Sequence, residues 1–140
     1  MAIERTLSLI KPDATGRNLT GAINKMIEES GLNIIAQKRL KLNKAQAEAF
    51  YHVHRGKDFF DPLVESMTAG DIVAQVLEGE DAIARYRQLM GPTNPEKQPK
   101  DCIRAIYGLG FRRNSVHGSD SLENAAEEIH FFFAQIELIK

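Results

Sequence analysis

The segment Ile72-Val73-Ala74-Gln75-Val76-Leu77 is a nearly continuous apolar run, entered from Gly70 and closed by Gly79. It is too short for an ordinary helix and is bounded by glycine breakers, so it reads as a central strand. A central strand needs partner strands, and the chain offers them. Glu4 to Ile10 is rich in Thr, Leu and Ile, with Leu7 and Leu9 on one face. Pro12 ends that strand and holds Lys11 extended, so Lys11 continues the Leu7/Leu9 face. Asn33 to Leu42 carries Ile34, Ala36, Leu40 and Leu42 at even spacing. A short strand is expected at Ser115-Val116-His117.

Helical spacing separates these strands. Ile23, Met26 and Ile27 form one stripe, with Asn18 or Thr20 as its cap and Gly31 as the residue that closes it. Lys44 to about His54 reads as a helix, and Phe59, Phe60, Leu63, Val64 and Met67 give another stripe. Glu80 to Met90 aligns Ile83, Tyr86 and Met90 and stops at Gly91. From Gly91 to His117 the periodicity fails among Pro92, Pro95, Pro99, Gly108 and Gly110, and a loop of that length is usually functional or disordered. Asp120 or Ser121 caps a last helix carrying Leu122, Ala125, Ala126, Ile129 and Phe133. The apolar tail Ile136-Glu137-Leu138-Ile139 needs a surface to dock on.

Stripped of insertions, and allowing for one strand that the reading misses, the order is βαββαβ. That is an α+β fold of ferredoxin-like type: a four-stranded antiparallel sheet with helices packed on one face and a long loop before His117. A chain of 140 residues is expected to form a single domain over 1–140.

Composition removes several function classes. With a net charge of −1, no basic excess exists for bulk binding to a nucleic-acid backbone. The apolar runs are far too short to span a bilayer. Cys102 is the only cysteine, which excludes an intrachain disulfide framework and suits a reducing, cytoplasmic compartment. The N-terminus has no basic stretch followed by an apolar core, so no signal peptide is expected.

Two phosphate motifs fail. Gly16 and Gly21 have the glycine spacing of a P-loop, but Ala22-Ile23 stands where Lys-Ser/Thr is required. Gly108-Leu109-Gly110 opens a dinucleotide fingerprint, but Arg113 occupies the third glycine. His52 and His54 are two apart, a spacing that does not bring side chains together on a helix, so they read as solvent-facing histidines rather than a metal pair.

His117-Gly118-Ser119-Asp120 is different in kind. It sets an imidazole beside a hydroxyl and a carboxylate in a glycine-permitted backbone, and such an imidazole is a nucleophile or proton carrier near neutral pH. Arg87 falls in the apolar register of Ile83, Tyr86 and Met90, either as a snorkelling stem or as a guanidinium directed into a cleft. Arg104 and Thr93-Asn94 add guanidinium, hydroxyl and amide donors suited to phosphate oxygens. Glu127 and Glu128 are both candidates to accept the second N–H of an imidazole, and spacing alone does not choose. Phe59, at a helix start, is placed to stack a base if it is exposed.

Arg5-Thr6-Leu7-Ser8-Leu9-Ile10-Lys11-Pro12-Asp13, Phe50-Tyr51, Phe59-Phe60, Leu77-Glu78-Gly79-Glu80, Gly91-Pro92-Thr93-Asn94-Pro95 and Asn114-Ser115-Val116-His117-Gly118-Ser119-Asp120-Ser121 together resemble nucleoside diphosphate kinase along the whole chain. The resemblance implies transfer of the terminal phosphate of a nucleoside triphosphate to a nucleoside diphosphate. The route is ping-pong through a phosphohistidine, with Mg²⁺ carried mainly by the nucleotide phosphates rather than by a protein metal site. It implies His117 as nucleophile, Glu128 holding its ring, Ser119 supporting that carboxylate and Tyr51 steadying the His117 side. It further implies Arg87 and Thr93 on the distal phosphates and Arg104 on the phosphate nearest the histidine. Lys11 and Asn114 would meet the ribose 3′-hydroxyl, with Lys11 also facing the transferred group, and Phe59 would stack the base beside Leu63. Broad base specificity and a homo-oligomer, tetramer or hexamer, follow from the same likeness, with neither membrane nor specific nucleic acid as partner.

The departures lie in the long loop. Ile106 stands where many relatives are acidic, Phe111 where an aliphatic base contact is common, and Arg112-Arg113 is unusually basic. A non-catalytic regulator with a vestigial site is disfavoured because both His117 and Lys11 are present. Phosphorylation of protein histidines as a side activity is left open by the sequence.

Overall fold

The structure, a computed structural model, describes residues 2–138. Four strands, β1 (Ile3–Ile10), β2 (Asn33–Leu40), β3 (Ile72–Glu80) and β4 (Val116–Gly118), form one sheet in the order β2-β3-β1-β4. Every neighbouring pair is antiparallel. The helices are α1 (Pro12–Thr15), α2 (Thr20–Glu29), α3 (Lys44–Phe50), α4 (Phe60–Met67), α5 (Ala82–Met90), α6 (Ile103–Tyr107) and α7 (Leu122–Phe132). The order is ferredoxin-like βαββαβ with α3 and α4 inserted between β2 and β3. Among the described residues these four strands complete the sheet, and the additional strand allowed for by the sequence reading is absent.

Helices cover both faces of the sheet, not one. Leu7 and Leu9 of β1, with Ile72, Ala74 and Val76 of β3, share a core with Val64 and Met67 of α4 and Ile129 and Phe132 of α7. Ile10, Val73 and Leu77 point the other way, against Ile23 and Ile27 of α2 and Ile83's neighbours Ala82, Tyr86 and Met90 on α5. The reason lies mainly in β3: successive side chains alternate sides, and apart from Gln75 both sets, Ile72/Ala74/Val76 and Val73/Leu77, are apolar, while β1 adds Leu7 and Leu9 to one face and Ile10 to the other, so each face must be covered. The polar residue in the apolar run is satisfied in place, because Gln75 donates to Asn24 Oδ1 (3.0 Å) and accepts from Gln37 Nε2 (3.1 Å).

Other differences have local causes. The register of β2 shifts between Ile34 and Ala36. A bulge changes which face later residues take, so Ile34 packs against the α2/α5 core while Ile35, Ala36, Leu40 and Leu42 meet the other. Neither Asn18 nor Thr20 caps α2: Asn18 is left-handed (φ 58°), Leu19 is the cap residue and Thr20 is already helical. Helix α3 is shorter than the 44–54 reading, starting from an Asn43/Gln46 capping box and giving way to a 3₁₀ turn at His52–His54. Strand β3 runs past Gly79 to Glu80. The 91–117 stretch is not wholly irregular, since it holds a 3₁₀ turn at Pro95–Lys97 and the helix α6 that carries Arg104.

On α7 the cap is Ser121, and the buried stripe is Ala125, Ile129 and Phe132, whereas Leu122 and Ala126 are exposed. Phe133 is buried just beyond the helix end. Lys38 fastens the tail: it donates to Phe132 O (2.8 Å) and pairs with Glu137 (2.9 Å). Leu138 packs on the core and Ile136 stays exposed, while Ile139 lies outside the described residues.

Candidate active site

Strand β4 is brought to the sheet by Gly118. A methyl there would stand 2.7 Å from Met90 Cε and 2.8 Å from Tyr86 Cδ2, so only glycine lets β4 lie this close to α5. Tyr86 is held in turn by a 2.7 Å hydrogen bond with Ser8. Before β4, Ser115 takes a left-handed φ of 75°, its N–H donating to Asp13 Oδ2 and its carbonyl accepting from Lys11 N–H. This kink turns the chain from the loop into the sheet. His117 then pairs with Leu9, and its ring emerges on the α7 side.

There His117 Nε2 meets Glu128 Oε1 at 3.2 Å, and the same carboxylate oxygen accepts from Ser119 Oγ at 2.8 Å. Ser119 Oγ itself accepts the N–H of Leu7 on β1. The ring is thus oriented by a chain that ends in the sheet backbone. Phe50 and Tyr51 stand edge-on to it, with centroids 5.6 and 6.0 Å away. Burial, and then the charge of Glu128, push the Tyr51 hydroxyl pKa upward, so Tyr51 is a neutral phenol at ordinary pH. The other imidazole nitrogen, Nδ1, makes no hydrogen bond among the described residues.

His117 lies in a cleft of about 340 Å³ lined also by Arg87, Thr93, Arg104, Asp120, Glu127 and Glu128, within the usual size of small-molecule sites. Arg87 is exposed on α5 and faces this cleft, which decides between its two readings. Arg104 donates to Gly91 O (2.8 Å) and Val116 O (2.9 Å), tying both ends of the long loop, and its buried Nε has no partner in the described structure. Glu127 lines the cleft, but the carboxylate on the imidazole is that of Glu128. Among the described residues, no group of three or more His, Cys, Asp or Glu could hold a metal ion.

Lys11 and Asn114 meet at the entry to β4. Lys11 Nζ donates to Asn114 Oδ1 and to Arg112 O, each at 2.9 Å, and Asn114 Nδ2 donates to Phe111 O. Burial lowers the Lys11 pKa to about 8; Asp13 opposes this and the charge of Arg104 adds to it.

The family-defining pattern for nucleoside diphosphate kinase matches residues 4–138. The chain is 59% identical over 139 residues to a nucleoside diphosphate kinase of Azorhizobium caulinodans, covering 99% of both chains. It is 60% identical over 139 residues to that of Granulibacter bethesdensis, again covering 99% of each. Among solved structures it resembles the Aquifex aeolicus nucleoside diphosphate kinase, with a TM-score of 0.95, 43% identity and coverage of 99% of this chain and 100% of that one. A Halobacterium salinarum nucleoside diphosphate kinase in complex with CDP matches with a TM-score of 0.93, 37% identity and coverage of 99% and 93%.

The chain belongs to the nucleoside diphosphate kinase family. It is a nucleotide phosphotransferase, and its substrates are nucleotides. Kinases of nucleotides generally require a divalent metal. Among the described residues no helix is long and apolar enough to cross a membrane.

The structure gathers the expected residues of this nucleoside diphosphate kinase unevenly. Arg87, Thr93, Arg104, His117 and Glu128 share the cleft, Ser119 bonds to Glu128 and Tyr51 packs on His117, while Lys11 and Asn114 bond to each other outside the cleft lining. Phe59 is 42% exposed at the start of α4, outside the cleft lining but linked to it through His54, whose ring lies 5.1 Å from Phe59 and 6.3 Å from Tyr51. Leu63 sits one helical turn further on and packs against the core.

The cleft roles of His52, His54 and Phe50 were missed. His52 is exposed, as read, and His54 is half-buried, but they sit on a 3₁₀ turn rather than a helix and both line the cleft. Helix α3 has already ended, and in a 3₁₀ turn their spacing obeys a different geometry. His54 is half-buried, and its Nδ1 has no partner among the described residues. Burial, then the charges of Lys57 and His117, lower its pKa. Phe50, read only as part of the Phe50-Tyr51 likeness, packs on the catalytic-candidate imidazole itself. The early stop of α3 at Tyr51 was the missing signal, and no breaker residue announces it.

Proposed function

We propose that this nucleoside diphosphate kinase works through a phosphohistidine at His117. The observation that carries the reading is the imidazole geometry: Nε2 is engaged by Glu128 while Nδ1 makes no hydrogen bond among the described residues, in a cleft that also holds two arginines. A hydrogen bond at Nε2 fixes the tautomer that leaves a lone pair on Nδ1. That lone pair forms the N–P bond as the bond from the terminal phosphorus to the bridging oxygen breaks, and the diphosphate leaves with the electron pair. In the second half-reaction an oxygen of the incoming diphosphate attacks phosphorus, the N–P bond breaks, and the neutral imidazole returns.

Phosphoryl transfer asks a protein mainly for position and charge. Arg87 and Thr93 hold the distal phosphates and Arg104 the phosphate nearest His117. Lys11 and Asn114 meet the ribose 3′-hydroxyl, and Lys11 also faces the transferred group. Tyr51 packs against the ring and Ser119 holds Glu128 in place. Phe59 stacks the base beside Leu63, and an aromatic platform supports broad base specificity because every base has a π-face.

The donor set suits Mg²⁺, which takes one or two carboxylates together with substrate phosphates and water. Asp120 is in the cleft and is kept ionised, chiefly by the Asn124 side chain that donates to it. Asp120 is the cleft carboxylate that would help hold Mg²⁺, which, carried mainly by the nucleotide phosphates, would supply charge neutralisation of their oxygens. A homo-oligomer, tetramer or hexamer, is supported by the exposed Ile106, Leu109 and Phe111 of the long loop and by Ile136 of the tail. A cytoplasmic setting fits the single buried thiol of Cys102.

The test is a coupled assay with ATP and several diphosphates on the wild type and His117→Ala. The variant should lose exchange yet keep nucleotide binding, since other groups hold the phosphates. Exchange that survives in His117→Ala contradicts the reading.

A further inference from the structure

A second depression, a groove of about 910 Å³, lies apart from the cleft, and neither His117, Arg87 nor Arg104 lines it. Four arginines do: Arg17, Arg39, Arg112 and Arg113. Two are already engaged. Arg17 donates to Asp13 O and Tyr107 O and stands 3.7 Å from the Asp13 carboxylate. Arg39 pairs with Asp71 at 3.1 Å. Arg112 and Arg113 are exposed, and among the described residues their guanidinium groups have neither hydrogen bond nor ion pair.

Their backbone, by contrast, is held firmly. Leu109 N–H donates to Arg113 O at 2.6 Å, Asn114 Nδ2 to Phe111 O, and Lys11 Nζ to Arg112 O. Gly110, with φ 139°, permits the turn. Two free guanidinium groups thus spring from a pinned turn into one groove. Such forks bind phosphate oxygens in pairs, and a backbone ordered in advance lowers the entropy lost on binding. The groove's acids do not cancel them: Asp13 and Asp71 are paired, and only Glu65, across on α4, is left.

We propose that this groove is a second anion site, which takes a small ligand bearing two or three linked phosphates on Arg112 and Arg113. Free polyphosphate and the phosphate tail of a nucleotide share that chemistry. The site adjoins the machinery of the cleft: the carbonyl of Arg112 accepts from Lys11, and Asp13, which lines the groove, holds Ser115 N–H. An occupant there bears on Lys11 through the turn it grips.

Calorimetric titration with tripolyphosphate, and separately with ATP, tests this on the full chain at low ionic strength. The wild type should bind two tripolyphosphates per chain. Arg112→Gln with Arg113→Gln should lose one of them, by tenfold or more in affinity, and Arg112→Lys with Arg113→Lys, which keeps the charge but not the fork, should bind it between the wild type and the glutamine pair. Arg87→Ala with Arg104→Ala should lose the other site. ATP saturating the remaining site of that cleft variant identifies a nucleotide tail as ligand, and tripolyphosphate alone doing so identifies free polyphosphate. A wild type that binds only one, or a glutamine pair that still binds two, overturns the groove site. If the cleft variant keeps both, the cleft reading fails while the groove is still scored on its own pair.

Discussion

Lys11, which the proposed mechanism sets against the transferred group, has a pKa of about 8, against an ordinary 10.5, because burial disfavours its charge. The free enzyme therefore loses this cation as pH rises through about 8, and kcat/KM should fall there. Lys11→Arg, which keeps its charge, should have a lower but flat profile over the same range. The stability consequence has the opposite sign. Between pH 8 and 10.5 the unfolded lysine holds its proton and the folded one does not, so folding gains with rising pH. Compared with Lys11→Met, the wild type should become relatively more stable across that window in denaturant titrations. Ser119 offers a second residue-level test, because its hydroxyl joins Glu128 to the β1 backbone. Ser119→Ala leaves a part-buried carboxylate oxygen short of a donor, at a cost of about 1–3 kcal/mol, which corresponds to roughly 5- to 150-fold in rate if it falls on the transition state. The loss should fall on kcat, with diphosphate affinity nearly unchanged. Phe59→Ala should instead weaken binding by about 1–3 kcal/mol, alike for all bases.

Strand β4 is short, and its position rests on Gly118. Gly118→Ala places a methyl 2.7–2.9 Å from Met90 and Tyr86. Overpacking of this kind costs about 1–3 kcal/mol, and the displaced strand carries His117, so melting temperature and exchange rate should drop together. A variant that loses neither would show that β4 has room the packing denies it. At this scale much was legible in the residues. The continuous run at Ile72–Leu77 announced β3, and Ile83, Tyr86 and Met90 announced the inner face of α5. The cover on both faces was less visible, because it depends on reading both alternating sets of β1 at once: Leu7 and Leu9 were noticed, while Ile10 and the Ser8–Tyr86 contact were not. Helix α6 escaped because it is a single short turn between prolines and glycines, with only Ile103 buried. The β2 bulge left no mark in the apolar spacing. In the cleft, His117 and Arg104 were legible in the residues, and Glu128 was chosen over Glu127 only by the family likeness; His54 was not named, since its access depends on α3 ending at Tyr51.

The whole molecule combines a rigid sheet, which sets the imidazole, with a long loop tied across the cleft by Arg104. That loop also exposes Ile106, Leu109 and Phe111, a set of apolar side chains that assembly would cover. Sedimentation at micromolar concentration should find a tetramer or hexamer, and a stable, fully active monomer would contradict the assembly. The ping-pong route makes a demand of its own, because the whole chain must exist for a time as a phosphoprotein with no nucleotide bound. The most direct measurement is to incubate the protein with γ-labelled ATP, remove nucleotide and map the label by peptide mass spectrometry. The account predicts one acid-labile phosphoryl group per chain, on His117, discharged by any nucleoside diphosphate and absent from His117→Ala. An acid-stable label, or one that persists in His117→Ala, would contradict it.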